Sequence, residues 1–133
     1  MLVDFAFICD YAEVIAKINA LGIGFDTIYS ASVPARHPSF FLVFQLRVNV
    51  VEAGEKNLKV SLIDEDGKNI MPDINSKINI SKPREGTEGA ARFALQFGMV
   101  QFPKYGSYSV HAVIDGHQMI DIPLKVSPPP QSG

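Results

Sequence analysis

Phe40-Phe41-Leu42-Val43-Phe44-Gln45-Leu46-Arg47-Val48-Asn49-Val50-Val51-Glu52 decides the fold class. Phe40, Leu42, Phe44, Leu46, Val48 and Val50 are apolar at every second position, and Gln45, Arg47 and Asn49 lie between them. A strand sends alternate side chains to opposite faces, so this period predicts a strand with its even residues in a core and Gln45, Arg47 and Asn49 in water. Working outward, Leu58, Val60 and Leu62 repeat the even pattern after Ala53–Asn57, which reads as a turn. The two strands are therefore expected to form a hairpin.

A chain of 133 residues suits one domain with a core large enough for a sandwich. Its net charge of -2, without a basic run, lacks the footprint of a nucleic-acid binder and gives no reason to expect an anionic membrane surface as partner. Asp4 interrupts the first apolar run, there is no basic segment ahead of it, and no stretch is long enough to span a bilayer, so the expected compartment is the cytoplasm. Cys9 is the one cysteine, in keeping with a reducing compartment, and is expected to be a buried small hydrophobe.

Val3, Phe5, Phe7 and Cys9 predict an opening strand whose odd residues point inward. For the following segment, Asp10 as N-cap, Glu13 three residues on, and Tyr11, Val14, Ile15, Ile18 and Leu21 at helical spacing predict a helix closed by Gly22. The segments Phe5–Glu13, Lys17–Gly22 and Phe25–Ile28 resemble a family of small bacterial all-β proteins to which no activity is attached. That resemblance implies a β-sandwich in which Lys17 to Leu21 is a strand after a glycine-containing turn, with Ala16 standing at the glycine position. Helix and turn-plus-strand both stay open for residues 11–21, the strand being preferred.

Ala31–Ser39 reads as a connector punctuated by Pro34 and Pro38. Asp64-Glu65-Asp66-Gly67 reads as a turn with Gly67 at positive φ, and residues 68–89 as loop with one short strand around Ile78 and Ile80. Phe93, Leu95 and Phe97 change parity to Val100 and Phe102, which predicts a bulge seated at Gly98. Gly106-x-Tyr108-x-Val110 is similar to the Gly-x-Tyr-x-Cys segment of immunoglobulin domains, where the tyrosine hydroxyl ties back to the preceding corner. In the last hairpin, Asp115-Gly116 invites a two-residue turn, but that register splits the apolar sets. A three-residue connection opposing Val113 to His117 and Val110 to Ile120, with Gly116 at positive φ, is expected instead.

The expected architecture is an all-β, immunoglobulin-like antiparallel β-sandwich of about seven to nine strands, spanning residues 1–126, with a Pro-rich disordered tail over 127–133. Asp64–Asp66 departs from the helix-loop-helix calcium pattern, with Lys68, Asn69 and Asn75 at the fifth, sixth and twelfth positions. His37, His111 and His117 show no zinc spacing, and no nucleophile elbow is present, so no cofactor, metal ligand or catalytic residue is assigned. Asp10, Asp26, Arg36 and His37 are the candidate ligand-binding residues, at one end of the sandwich. The function expected is a non-enzymatic binding or assembly module that self-associates or takes a protein partner through a sheet edge or loops, Pro123 marking one edge. Two alternatives are a small hydrolase or lyase using those Asp and His residues, and a structural subunit of a phage or secretion-like particle.

Overall fold

The computed structural model describes residues 1–130, the side chain of Pro38 excepted. Its described residues form ten strands, above the seven to nine expected: β1 (Leu2–Cys9), β2 (Tyr11–Ile15), β3 (Lys17–Leu21), β4 (Thr27–Tyr29), β5 (Ala35–Asn49), β6 (Gly54–Asp64), β7 (Ile74–Ile80), β8 (Glu88–Phe102), β9 (Gly106–Ile114) and β10 (His117–Ser127). A three-stranded sheet β1-β5-β8 and a five-stranded sheet β4-β10-β9-β6-β7 enclose the core as an all-β sandwich, and β2-β3 is a separate hairpin. Pairing is antiparallel except between β4 and β10.

Phe40, Leu42, Phe44, Leu46 and Val48 are buried as the alternation requires, each at 2% exposure or less. Phe40 stacks on Phe97 at 4.7 Å and Phe44 lies 5.2 Å from Phe93. Val50 leaves the pattern and is exposed, because the chain turns there. Asn49 and Glu52 form a capping box around a short 3-10 turn, with Val51 N–H donating to Asn49 Oδ1 (3.1 Å) and Asn49 N–H to Glu52 Oε1 (3.0 Å). This corner carries the chain from one sheet to the other. β5 and β6 therefore form no hairpin: β5 pairs with β1 and β8, and β6 with β7 and β9. Gly54–Asn57, expected as turn, already belongs to β6.

β1 departs from its expected register. Its pairing with β5 slips by one between Val3 and Phe5, leaving Asp4 as the bulged residue. Gln45 Nε2 and Arg47 Nη2 each donate to the Asp4 carboxylate at 2.8 Å, and these contacts, Gln45 first, hold its carboxyl below the usual range. An extra residue reverses every later side chain. Val3, Ala6 and Ile8 accordingly meet the main core, whereas Phe7 and Cys9 belong to a second cluster on the outer face.

Residues 11–21 are two strands joined at Ala16, which takes φ 60. Helical spacing put Val14 and Ile18 on one face, and so does direct cross-strand pairing, Val14 opposite Ile18 and Ala12 opposite Ala20. β5 starts at Ala35, so the connector is shorter than expected. Near its start, β5 and β8 change parity together: Ala35 and Phe102 are buried, and so are Phe40 and Phe97. Because both strands switch, the register stays constant, and the left-handed residue is Met99 (φ 48) instead of a bulge at Gly98.

Leu58, Val60 and Leu62 face the core, as do Ile78 and Ile80 of β7, which runs longer than the short strand expected. Gly67 takes φ 79 in the turn closed by its N–H to Asp64 O. Tyr108 Oη donates to Lys104 O at 2.5 Å, tying the start of β9 back to the corner before it. At the last turn Ile114 lies opposite His117, with Asp115 (φ 47) and Gly116 (φ 81) both left-handed. The two-residue turn thus replaces the three-residue connection expected. A bulge at Met119 absorbs the parity conflict, setting Ile120 opposite Ala112 and Ile122 opposite Val110. Ser127 still pairs with Tyr29, so β10 extends one residue past the expected boundary; residues 131–133 of the expected tail lie outside the described residues.

A candidate groove beside the β2-β3 hairpin

The Asp4 bulge places Leu2, Phe5, Phe7 and Cys9 opposite Arg47, Gln45, Val43 and Phe41 on the outer face of the three-stranded sheet. Outward apolar side chains need cover, and the hairpin supplies it for part of the row. Cys9, Ala12 and Val43 are buried at 4% exposure or less, with Ile18, Ala20, Phe41 and Ala94 packed around them. Tyr11 meets Phe41 edge to face at 5.4 Å. Burial pushes the Cys9 thiol above its ordinary pKa, and Sγ donates to Tyr11 O at 3.5 Å, so Cys9 is the buried small hydrophobe expected.

The cover stops short of the upstream half of β1. Phe5 and Phe7 stack at 6.0 Å beside β3, which pairs with β2 and with no other described strand. Between them runs a groove of about 680 Å³ lined by Phe5, Phe7, Tyr11, Ile18, Leu21 and Ile23, with Glu13 and Asn19 as its polar members. Leu2, Leu21 and Ile23 are each at least 60% exposed. An aromatic floor beside an unpaired strand edge offers both backbone hydrogen bonds and apolar contact to an extended segment.

The four residues singled out in the sequence do not line this groove. Asp10 N–H donates to Leu21 O at 3.0 Å, closing the base of the hairpin. His37 lies half-buried between Phe25 and Phe40, at 5.7 and 5.8 Å. Burial lowers its pKa, and the charge of Asp10 opposes that shift. Asp10 and His37 therefore share one end of the sheet. Arg36, its neighbour on β5, points to the other face, and Asp26 accepts from its own neighbour Thr27 at 3.0 Å while its carbonyl accepts from Lys125 N–H at 2.8 Å.

One further row escaped the sequence reading because its members come from three separate strands. Ser61, His111 and Asp121 are direct cross-strand partners, and His111 Nε2 lies 3.3 Å from Asp121 Oδ1. The residue types are those of a hydrolytic triad, but Ser61 Oγ donates to Asp73 at 2.7 Å and its proton is directed away from the imidazole. The Asp64 carboxylate accepts from the Asp66 and Lys68 N–H groups, both at 2.9 Å, which is turn chemistry. Among the described residues no group of three or more His, Cys, Asp or Glu is placed to hold a metal ion.

The model of a family of unknown function, DUF6941, matches residues 4–127. The chain belongs to DUF6941. No curated protein matches this DUF6941 chain. Among its described residues no helix is long and apolar enough to cross a membrane.

Proposed function

We propose that this DUF6941 protein is a non-enzymatic cytoplasmic binding module on an immunoglobulin-like sandwich, taking an extended protein segment into the groove beside β3. The observation that carries the reading is the coincidence of an unpaired strand edge with stacked Phe5 and Phe7 and exposed Leu21 and Ile23. Only one acidic side chain, Glu13, lines the groove, so the favoured segment alternates apolar with polar residues and carries a base near that point. The immunoglobulin-like assignment draws support from the strand order, with β1-β5-β8 facing β10-β9-β6, and from the Tyr108 corner. The cytoplasmic placement rests on the single cysteine and its buried thiol.

Panning a displayed library of random peptides against the protein tests the reading. Recovered sequences are expected to be extended and alternating, and to lose binding to Leu21→Asp while keeping it to Arg36→Ala. Failure to enrich any sequence, or enrichment indifferent to Leu21→Asp, refutes it.

A further inference from the structure

We propose that the segment occupying the groove is β3 of a second copy, so that two molecules join their hairpins into one four-stranded sheet about a twofold axis at Asn19. This rests on the binding-module reading above and names its partner.

The free edges differ in how they are protected. Gly24 N–H donates to Ile8 O and covers the downstream end of β1. β8 turns left-handed at Met99, and Pro83 lies against Gly89 near its start. β7 presents Lys77, paired with Glu55, and β10 carries Pro123 just before its pairing with β4 begins. Kinks, lysines and prolines are the usual devices that discourage edge pairing. β3 carries one such residue, Lys17 at its first position beside the hairpin tip; over Ile18–Leu21 it has none, and apolar side chains flank it.

The strand is also self-complementary. Antiparallel pairing centred on Asn19 sets Asn19 opposite the second copy's Asn19, Ile18 opposite Ala20, and Lys17 opposite Leu21. No like charges meet. The outward row Glu13–Asn19 of each hairpin then continues across the axis, amide against amide. Of the residues lining the groove, Phe5, Tyr11, Leu21 and Ile23 are between 39% and 69% exposed. At the usual size of such side chains they offer roughly 400 Å² of apolar surface, about half of the ~800 Å² per partner of a standard interface.

Light scattering after size exclusion, from low to high micromolar protein, reads the outcome directly. The mass is expected to rise from monomer to dimer with concentration. Asn19→Lys puts two lysines face to face at the axis, while within one chain it gains Glu13 as a neighbour, so the fold persists and dimerisation weakens about tenfold or more. Asn19→Cys brings two thiols within disulfide reach and is expected to give a covalent dimer on oxidation, whereas Val51→Cys, 84% exposed and far along the chain, is not. A wild-type protein that stays monomeric overturns the inference. So does a dimer untouched by Asn19→Lys and not linked through Asn19→Cys. If the monomer still binds displayed peptides in a Leu21-dependent way, the groove reading stands and only the choice of partner fails.

Discussion

Val43 gives the sharpest test of the hairpin's seat, because strand alternation alone would leave it in water beside Gln45. It is 0% exposed, held between Cys9 and Ala12 under β2. Val43→Ala removes two buried carbons at about 0.8 kcal/mol each and leaves a small cavity, so the expected loss is about 2 kcal/mol. Val43→Thr keeps the shape but buries a hydroxyl among apolar groups, which costs about 1–3 kcal/mol without a new partner. Urea denaturation followed by circular dichroism reads both. With m of about 2 kcal/mol/M, Val43→Ala shifts the midpoint down by about 1 M at unchanged slope. Leu46→Ala, in the main core, serves as reference at about 2–5 kcal/mol. If both Val43 variants stay within about 0.5 kcal/mol of wild type while Leu46→Ala is strongly destabilised, position 43 behaves as surface and the hairpin does not cover β5.

Gly22→Ala is expected to destabilise by about 1–3 kcal/mol in the same assay, since Gly22 has φ 68 and a Cβ there would overlap the Asp10 carboxylate; adding Asp10→Ala should recover only the steric part. Gly116→Val should lower the urea midpoint because a β-branched residue is penalised at φ 81, whereas Asp115→Asn, at φ 47, should be tolerated far better. The backbone N–H of Lys68, then that of Asp66, holds the Asp64 carboxyl below the usual range, so its contribution is present above the ordinary carboxylate pKa and disappears as pH falls through the lowered value. Asp64→Asn should therefore flatten the acid limb of the midpoint-against-pH curve. His37, its pKa lowered by burial, favours the folded state above the unfolded histidine pKa and loses that contribution as pH falls; His37→Gln should flatten the decline between about pH 7 and pH 5.

How far the sequence discloses this molecule depends on whether a feature is local. The even row of β5 is visible because five consecutive alternations leave only one face for Phe40 to Val48, and all five are buried. Asn49 and Glu52 also spell a capping box at the right spacing, a corner signal that outranks the expectation of a hairpin between successive strands. The Asp4 bulge leaves no such mark. Period two survives on either side of a one-residue slip, so Phe5 and Phe7 read as core when they are the floor of an outer groove. In residues 11–21 the apolar positions satisfy both a helix and a hairpin whose tip is Ala16. The choice falls to tertiary burial, because only the hairpin lays Ala12 and Ala20 on Val43 while pairing its own backbone. Of the four residues named as a site, Arg36 and His37 face opposite ways because they are neighbours on a strand, and reading 31–39 as a connector hid that exclusion. The approach of Asp10 to His37 was not legible either, since it depends on β1 ending where β5 begins. The groove combines the two kinds of information. Its residues carry a plain apolar signal, but that signal says only that cover is needed, and the fold leaves Leu21 and Ile23 uncovered beside an unpaired edge. An apolar row that the chain does not itself bury is where a second chain gains most by binding, which is why β3 outweighs the acidic and histidine clusters as the place to look for function.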